Sequence, residues 1–401
     1  MWKIFQSVAS KDQPTPCFPI NVADDLINAT LDNYDWVLLT DGVRGMDIEA
    51  DPANQPGGLR FRVDLDYQDP YDEGKQDEVE KSLREKLRTL SGIDTPEGEA
   101  IQLSKDDQEI ILVPLWVSPR DTATFFDGLR RWIAMSALRL RIWIRLLRVR
   151  VLALLPGGPA AEPVIGGQMI VKIGNSSCIT PGTVATSLIY GSQYRLLTNN
   201  HVVTNNQHHC IDSTLYVEGK ATSMKLDGYY KIVEHSQSDM DAFRSGQKTL
   251  TYNVVDLAWC DTTPLQAAQR RIIDVEYHQE SIDGFRRPVR CETVTFYGSS
   301  SNTFTTTKVL STTYRVRNNV ANYRFWKNIV RLDTSVAIIG DSGTAIVATE
   351  TDEDGNEKHM VVGLIRHLSS IPNPCRSEAF GCPLHEPNEL EQELVVASYK
   401  N

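Results

Sequence analysis

From Val164 onward the chain is a succession of short β-type runs broken by Gly, Asn, Asp and Ser. No other feature constrains the fold as much. The runs are Gln168–Ile173, Thr183–Tyr190, Arg195–Thr198, Thr214–Val217, Val254–Trp259, Thr293–Tyr297, Thr307–Tyr314, Ile329–Leu332, Thr344–Ala348 and His359–Ile365. Many short strands at such spacing predict a sandwich or a pair of β-barrels. The Pro- and Gly-rich stretch Pro156–Pro163 reads as a linker that sets this region apart from everything before it.

A chain of 401 residues, at ~100–200 residues per domain, predicts two or three domains. Three regions emerge: 1–120, 121–163 and 164–401. Residues 1–120 read as a small α+β unit. Val22–Tyr34 and Asp77–Leu90 have helical spacing, Leu59–Leu65 alternates apolar and charged residues as a half-buried strand, and Ile110–Val117 is a further strand. Glu389–Val396 predicts a terminal helix.

Charge is distributed unevenly. Residues 1–120 carry 24 acidic and 12 basic side chains, residues 121–157 carry two and seven, and the whole chain has a net charge of −11. A general nucleic-acid binder is not expected, because a polyanion is repelled overall. Residues 128–155 form an Arg-rich, imperfectly amphipathic segment. Arg in the hydrocarbon core costs about 2.5–3.5 kcal/mol, so the segment is no membrane span. Docking on a membrane surface or partner and packing against the acidic N-terminal region both remain open for it. Seven cysteines on a long chain form no dense framework and suit a reducing compartment. The expectation is a cytoplasmic protein, with peripheral membrane contact as the alternative.

Three places in the strand-rich region combine into one chemistry. Gly340-Asp341-Ser342-Gly343 puts a hydroxyl between two flexible residues, where the Gly340 and Ser342 amides can converge on a developing oxyanion. Thr198-Asn199-Asn200-His201 places an imidazole at the end of an apolar run. Val254-Val255-Asp256-Leu257-Ala258-Trp259 buries an acid, which is costly unless paired, and an imidazole is a natural partner. Asp241, with more polar flanks, is a weaker candidate for that acid. His208-His209-Cys210 has no second ligand cluster behind it, so no metal and no cofactor are expected.

The order His201, Asp256, Ser342, at intervals of 55 and 86 residues, resembles the trypsin/chymotrypsin-like serine peptidases over about half of the chain, roughly residues 164–368. Pro181–Val184 and Val361–Ile365 look like the narrow-leaf-type and related microbial trypsin-like subgroup. The resemblance implies an all-β chymotrypsin-like double β-barrel after the α+β unit, and a protein or peptide substrate. His201 would be the general base, Asp256 its orienting acid, Ser342 the nucleophile, and Gly340 and Ser342 the oxyanion-hole amides. Val336, Arg366 and His367 would line the substrate pocket, with Val336 favouring a small or apolar residue before the scissile bond. Val164-Ile165-Gly166-Gly167 is similar to the freed terminus of activated zymogens, whose amine would pair with Asp341. No Lys or Arg precedes it, and a first barrel strand is the stronger reading.

Two further expectations follow. The acidic N-terminal unit would regulate the peptidase, so that a chain starting near Val164 is more active. In the alternative, the barrel is a catalytically quiet binding module docking through residues 128–155.

Overall fold

The computed structural model describes residues 17, 20, 22–50, 58–65, 73–88, 93–94, 100–101, 110–114, 144, 166–173, 179–190, 193–204, 214–217, 220–221, 224–262, 271–273, 279–318, 322–333, 337, 340–366, 379–383 and 395–396. Apart from Ile144, the Arg-rich segment lies outside these residues, as do Val336, His367 and the His208–Cys210 cluster.

Among the described residues the first elements are two helices, α1 (Asp24–Asp32) and α2 (Asp35–Leu39), and the strands β1 (Val43–Ala50) and β2 (Leu59–Leu65). Helix α3 (Glu73–Arg88) and strand β3 (Ile110–Pro114) follow. Helical spacing and period-two alternation located α1, β2 and α3 correctly. The apolar run at Trp36–Leu39 forms a helical turn, and its Val37, Leu38 and Leu39 are buried.

The next body packs two sheets around Ile170, Val184, Leu196, Leu215, Leu226 and Ala258. One sheet contains β4 (Met169–Ile173), β5 (Ile179–Thr183) and β6 (Thr214–Val217). The other contains β7 (Thr186–Tyr190), β8 (Gln193–Thr198), β9 (Lys225–Tyr229) and β10 (Ala258–Thr262). A short helix, α4 (Asn200–Thr204), follows β8, and α5 (Gln237–Arg244) follows β9. Gly182 lets α4 approach, because a Cβ there would stand 2.4 Å from Val202. Val395–Val396 pairs with β9 as a strand and does not continue the expected terminal helix, since its backbone bonds to Gly228 and Tyr229.

The last body is a closed ring. It is built from β11 (Thr293–Gly298), β12 (Thr303–Asn318), β13 (Arg324–Leu332), β14 (Ala345–Thr351), β15 (Glu357–Ile365) and β16 (Ala379–Pro383). The ring order is β11-β14-β15-β16-β13-β12, and β12 pairs back onto β11. Closure leaves these strands no free edge.

Strand β12 is 16 residues long and serves two purposes. Its first half pairs with β11, and its second half pairs with β1 through Gly45↔Val316 and Met46↔Arg315. The N-terminal strands therefore extend the sheet of the ring in the order β12-β1-β2-β3. The N-terminal core, with Ile27, Leu31, Phe61 and Val63, also takes in Met240, Phe243 and Phe325 from beyond residue 164. A disulfide joins Cys17 to Cys291 across 274 residues. The cysteine reading of the sequence singles out no such pair. No helix among the described residues is long and apolar enough to cross a membrane.

Candidate active site

The His-bearing segment is fixed from both ends. β8 ends at Thr198, whose hydroxyl donates to the Thr183 carbonyl at 2.8 Å. The Asn199 amide donates to the Ile365 carbonyl at 2.9 Å, and Asn200 donates to the Tyr230 carbonyl at 2.6 Å. His201 then stands in the first turn of α4, with its side chain partly exposed.

Asp256 lies just before β10 and is fully buried. The apolar run around it is therefore not continuous strand. The acid sits in the irregular stretch before β10, where its carboxylate reaches α4. Its Oδ1 accepts from the His201 backbone amide at 3.2 Å, and its Oδ2 is 2.7 Å from His201 Nδ1. Oδ2 also accepts from Arg366 Nε at 2.5 Å. Burial pushes the carboxyl upward, but the adjacent His201 and Arg366 charges and their hydrogen bonds outweigh it and hold Asp256 well below the usual carboxylate range. The acid is thus ionised at any physiological pH. Asp241, the other candidate, is exposed on α5 and faces Gln237 and Arg244.

The Ser-bearing turn is pinned to Thr183 at the end of β5, the residue whose carbonyl also binds Thr198. Gly340 and Gly343 have φ of +99° and +96°, a region that disfavours L side chains. A Cβ at Gly343 would stand 2.3 Å from the Thr183 carbonyl and 2.4 Å from the Thr198 hydroxyl, so only glycine lets the turn come this close to β8. Thr183 holds the turn at two points: its amide donates to the Ser342 carbonyl at 2.7 Å, and its hydroxyl donates to the Gly340 carbonyl at 2.9 Å. The Gly343 amide donates to the Ile365 carbonyl, the same oxygen that Asn199 binds. Among the described residues, the Gly340 and Ser342 amides have no intramolecular acceptor, and the Ser342 hydroxyl makes no hydrogen bond to His201.

Asp341 is fully buried, and its Oδ1 accepts from the Ser300 and Ser301 amides at 2.9 and 3.0 Å. Gly298 makes room for it, since a Cβ there would stand 2.4 Å from the carboxyl carbon. The turn between β11 and β12 thus occupies the Asp341 carboxylate that the zymogen reading would have offered to a freed amine.

Arg366, read from the sequence as a wall of the substrate pocket, is 3% exposed. Its guanidinium is turned inward onto Asp256 and stacks on the Trp326 ring at 3.6 Å. Thr183, Thr198, Asn199 and Trp326 all support the site, yet no local motif marks them as functional. No group of His, Cys, Asp and Glu among the described residues could hold a metal ion.

No family model matches the chain, and no curated protein matches it. Solved structures do resemble it at low identity. A glutamic acid-specific serine protease described as using a histidine triad in substrate binding is 16% identical, with a TM-score of 0.40, over 58% of this chain and all of its own. Protease A of Thermobifida fusca is 15% identical with a TM-score of 0.37, over 59% of this chain and all of its own. The Cellulomonas bogoriensis chymotrypsin is 14% identical, also with a TM-score of 0.37, over 59% of this chain and all of its own. At these values the likeness does not fix what this chain does.

Proposed function

We propose that the chain is a hydrolase of the serine–histidine–aspartate type. More particularly, it is a serine endopeptidase resembling the trypsin/chymotrypsin-like family and working through an acyl-enzyme. One arrangement carries the reading: the buried Asp256 carboxylate bonds His201, while the Ser342 turn is hydrogen-bonded to Thr183 at the end of β5 and packs against Thr198, two residues before α4. In this mechanism Asp256 accepts from His201 Nδ1 and leaves Nε2 unprotonated. Nε2 takes the Ser342 proton as Oγ forms a bond to the substrate carbonyl carbon. The resulting oxyanion is held by the Gly340 and Ser342 amides. Collapse breaks the carbon–nitrogen bond, and the His201 proton passes to the leaving amine. Water, deprotonated by His201, then hydrolyses the ester.

A fluorophosphonate probe followed by peptide mapping tests this. The expected result is label on Ser342 in the wild type and none in Ser342→Ala. His201→Ala should retain the fold and lose at least about a thousandfold in turnover. A folded wild-type protein that leaves Ser342 unlabelled would sink the proposal. N-terminal sequencing of digest products would check the preference for a small or apolar residue that Val336 suggests. One observation favours a second reading, a catalytically quiet protease fold docking through residues 128–155: the Ser342 hydroxyl is not bonded to His201. Catalytic hydrogen bonds often tighten only on substrate binding, so the label decides between the two readings.

A further inference from the structure

Arg366 directly follows β15, with its side chain directed away from solvent. The Trp326 ring covers one face of its guanidinium, and its Nη1 is buried without a hydrogen-bond partner. Asp256 is the only carboxylate it binds among the described residues, at Oδ2. The same oxygen faces His201 Nδ1. A buried cation and an imidazole therefore share one carboxylate oxygen from two sides.

We infer that Arg366 is a positioning residue of this site, one that holds the Asp256 carboxylate in line with His201 and takes part of its negative charge away from the imidazole. The inference rests on the reading of His201 as a general base. Two consequences follow. First, the acid stays oriented, because the guanidinium stacked on Trp326 cannot swing away from Oδ2. Second, an imidazolium forming at His201 is held by a carboxylate that a fixed cation has already partly neutralised. Without that cation the carboxylate should hold the imidazolium more tightly, and activity should fall away at a higher pH.

Among the described residues, three titratable groups face Asp256: His201 on α4, Arg366 just after β15 and Cys382 on β16. The Cys382 thiol lies against the Asp256 backbone amide, and burial pushes it up to about 12. It is neutral throughout the range of interest and does not contribute to the titration.

The test replaces the cation and keeps a donor. In Arg366→Gln the acid limb of kcat/KM should move up by about one pH unit, a tenfold change in proton affinity. Arg366→Lys keeps the charge and should leave the limb within a few tenths of a unit of wild type while lowering the rate. A merely structural Arg366 would lower the rate in both variants and move neither limb. Where Arg366→Gln does not fold, Trp326→Leu loosens the guanidinium without removing it and should shift the limb the same way by a smaller amount. Titration of the His201 ring signals by NMR follows the same proton without turnover, so it separates failure of this inference from failure of the peptidase reading. An unmoved His201 titration in the folded variant overturns the inference. An unlabelled Ser342 overturns the peptidase reading alone.

Discussion

Gly343 shows how one residue type sets the distance between the Ser342 turn and the segment that carries His201. Its φ of +96° and its approach to the Thr183 carbonyl and Thr198 hydroxyl both exclude a side chain. For Gly343→Ala, the positive φ alone costs about 1–2 kcal/mol, and the clash with Thr183 and Thr198 forces the Ser342 turn away from the ends of β5 and β8. The expected outcome is a protein folded by circular dichroism whose Ser342 reacts with fluorophosphonate at least tenfold more slowly. An unchanged labelling rate would count against the role given to this close approach. At this scale the sequence singled out His201 and Ser342, whose residue types and order are distinctive. It was less informative about Arg366. Its position after β15 was visible, but the direction of its side chain depends on where Asp256 and Trp326 arrive from distant parts of the chain.

Strand β2 illustrates what alternation can and cannot predict. Leu59–Leu65 is a strand as expected, but its charged face is not in water. Arg62 and Asp64 are buried, and Tyr314 donates to Asp64 at 2.5 Å. The strand is covered on both faces because β1 and β2 lie beside β12, which supplies Tyr314. On β1, Glu49 binds Arg60 and Arg331 at 2.6 and 2.7 Å. Burial pushes the Glu49 carboxyl up, but Arg331, Arg62 and Arg60 outweigh it and lower it to about 2. A depressed carboxylate contributes stability that is complete above about pH 4.5 and lost as the pH falls toward 2. Glu49 should thus contribute on the order of 3 kcal/mol at neutral pH. Asp47 acts in the opposite sense, because burial outweighs Arg290 and Arg331 and raises it. Denaturant titration of Glu49→Gln should show a large deficit at pH 7 that narrows at pH 3. A deficit independent of pH would show that the loss is one of packing and not of charge.

On the scale of the whole molecule, the N-terminal strands are part of the sheet that carries the Ser342 turn. Removing residues 1–163 would open the second half of β12 as a sheet edge and expose Met240, Phe243 and Phe325. It would also strip Arg315 of Asp32 and Asp35, and Arg331 of Asp47 and Glu49. Each large apolar side chain returned to water costs about 1.5–3 kcal/mol, against a typical net stability of about 5–15 kcal/mol. A chain beginning at Val164 should therefore be insoluble or less active, contrary to simple release of an inhibitory domain. Expression of that chain beside the full-length protein, with solubility and Ser342 labelling as the readouts, checks it. A soluble and more active product would restore the masking model.

The sequence by itself determined the strand-rich second half, the helices and strands of strong periodicity, and the order His201, Asp256, Ser342, because these depend on local spacing and residue type. Tertiary structure decided the rest. β12 joins two bodies through pairings hundreds of residues apart in sequence, as at Met46↔Arg315. Cys17 reaches Cys291 only because that sheet brings them together. Arg366 turns inward because a buried carboxylate and an indole face await it. Each outcome depends on burial, and burial is set by what the folded chain brings to a surface, which spacing along the sequence does not encode.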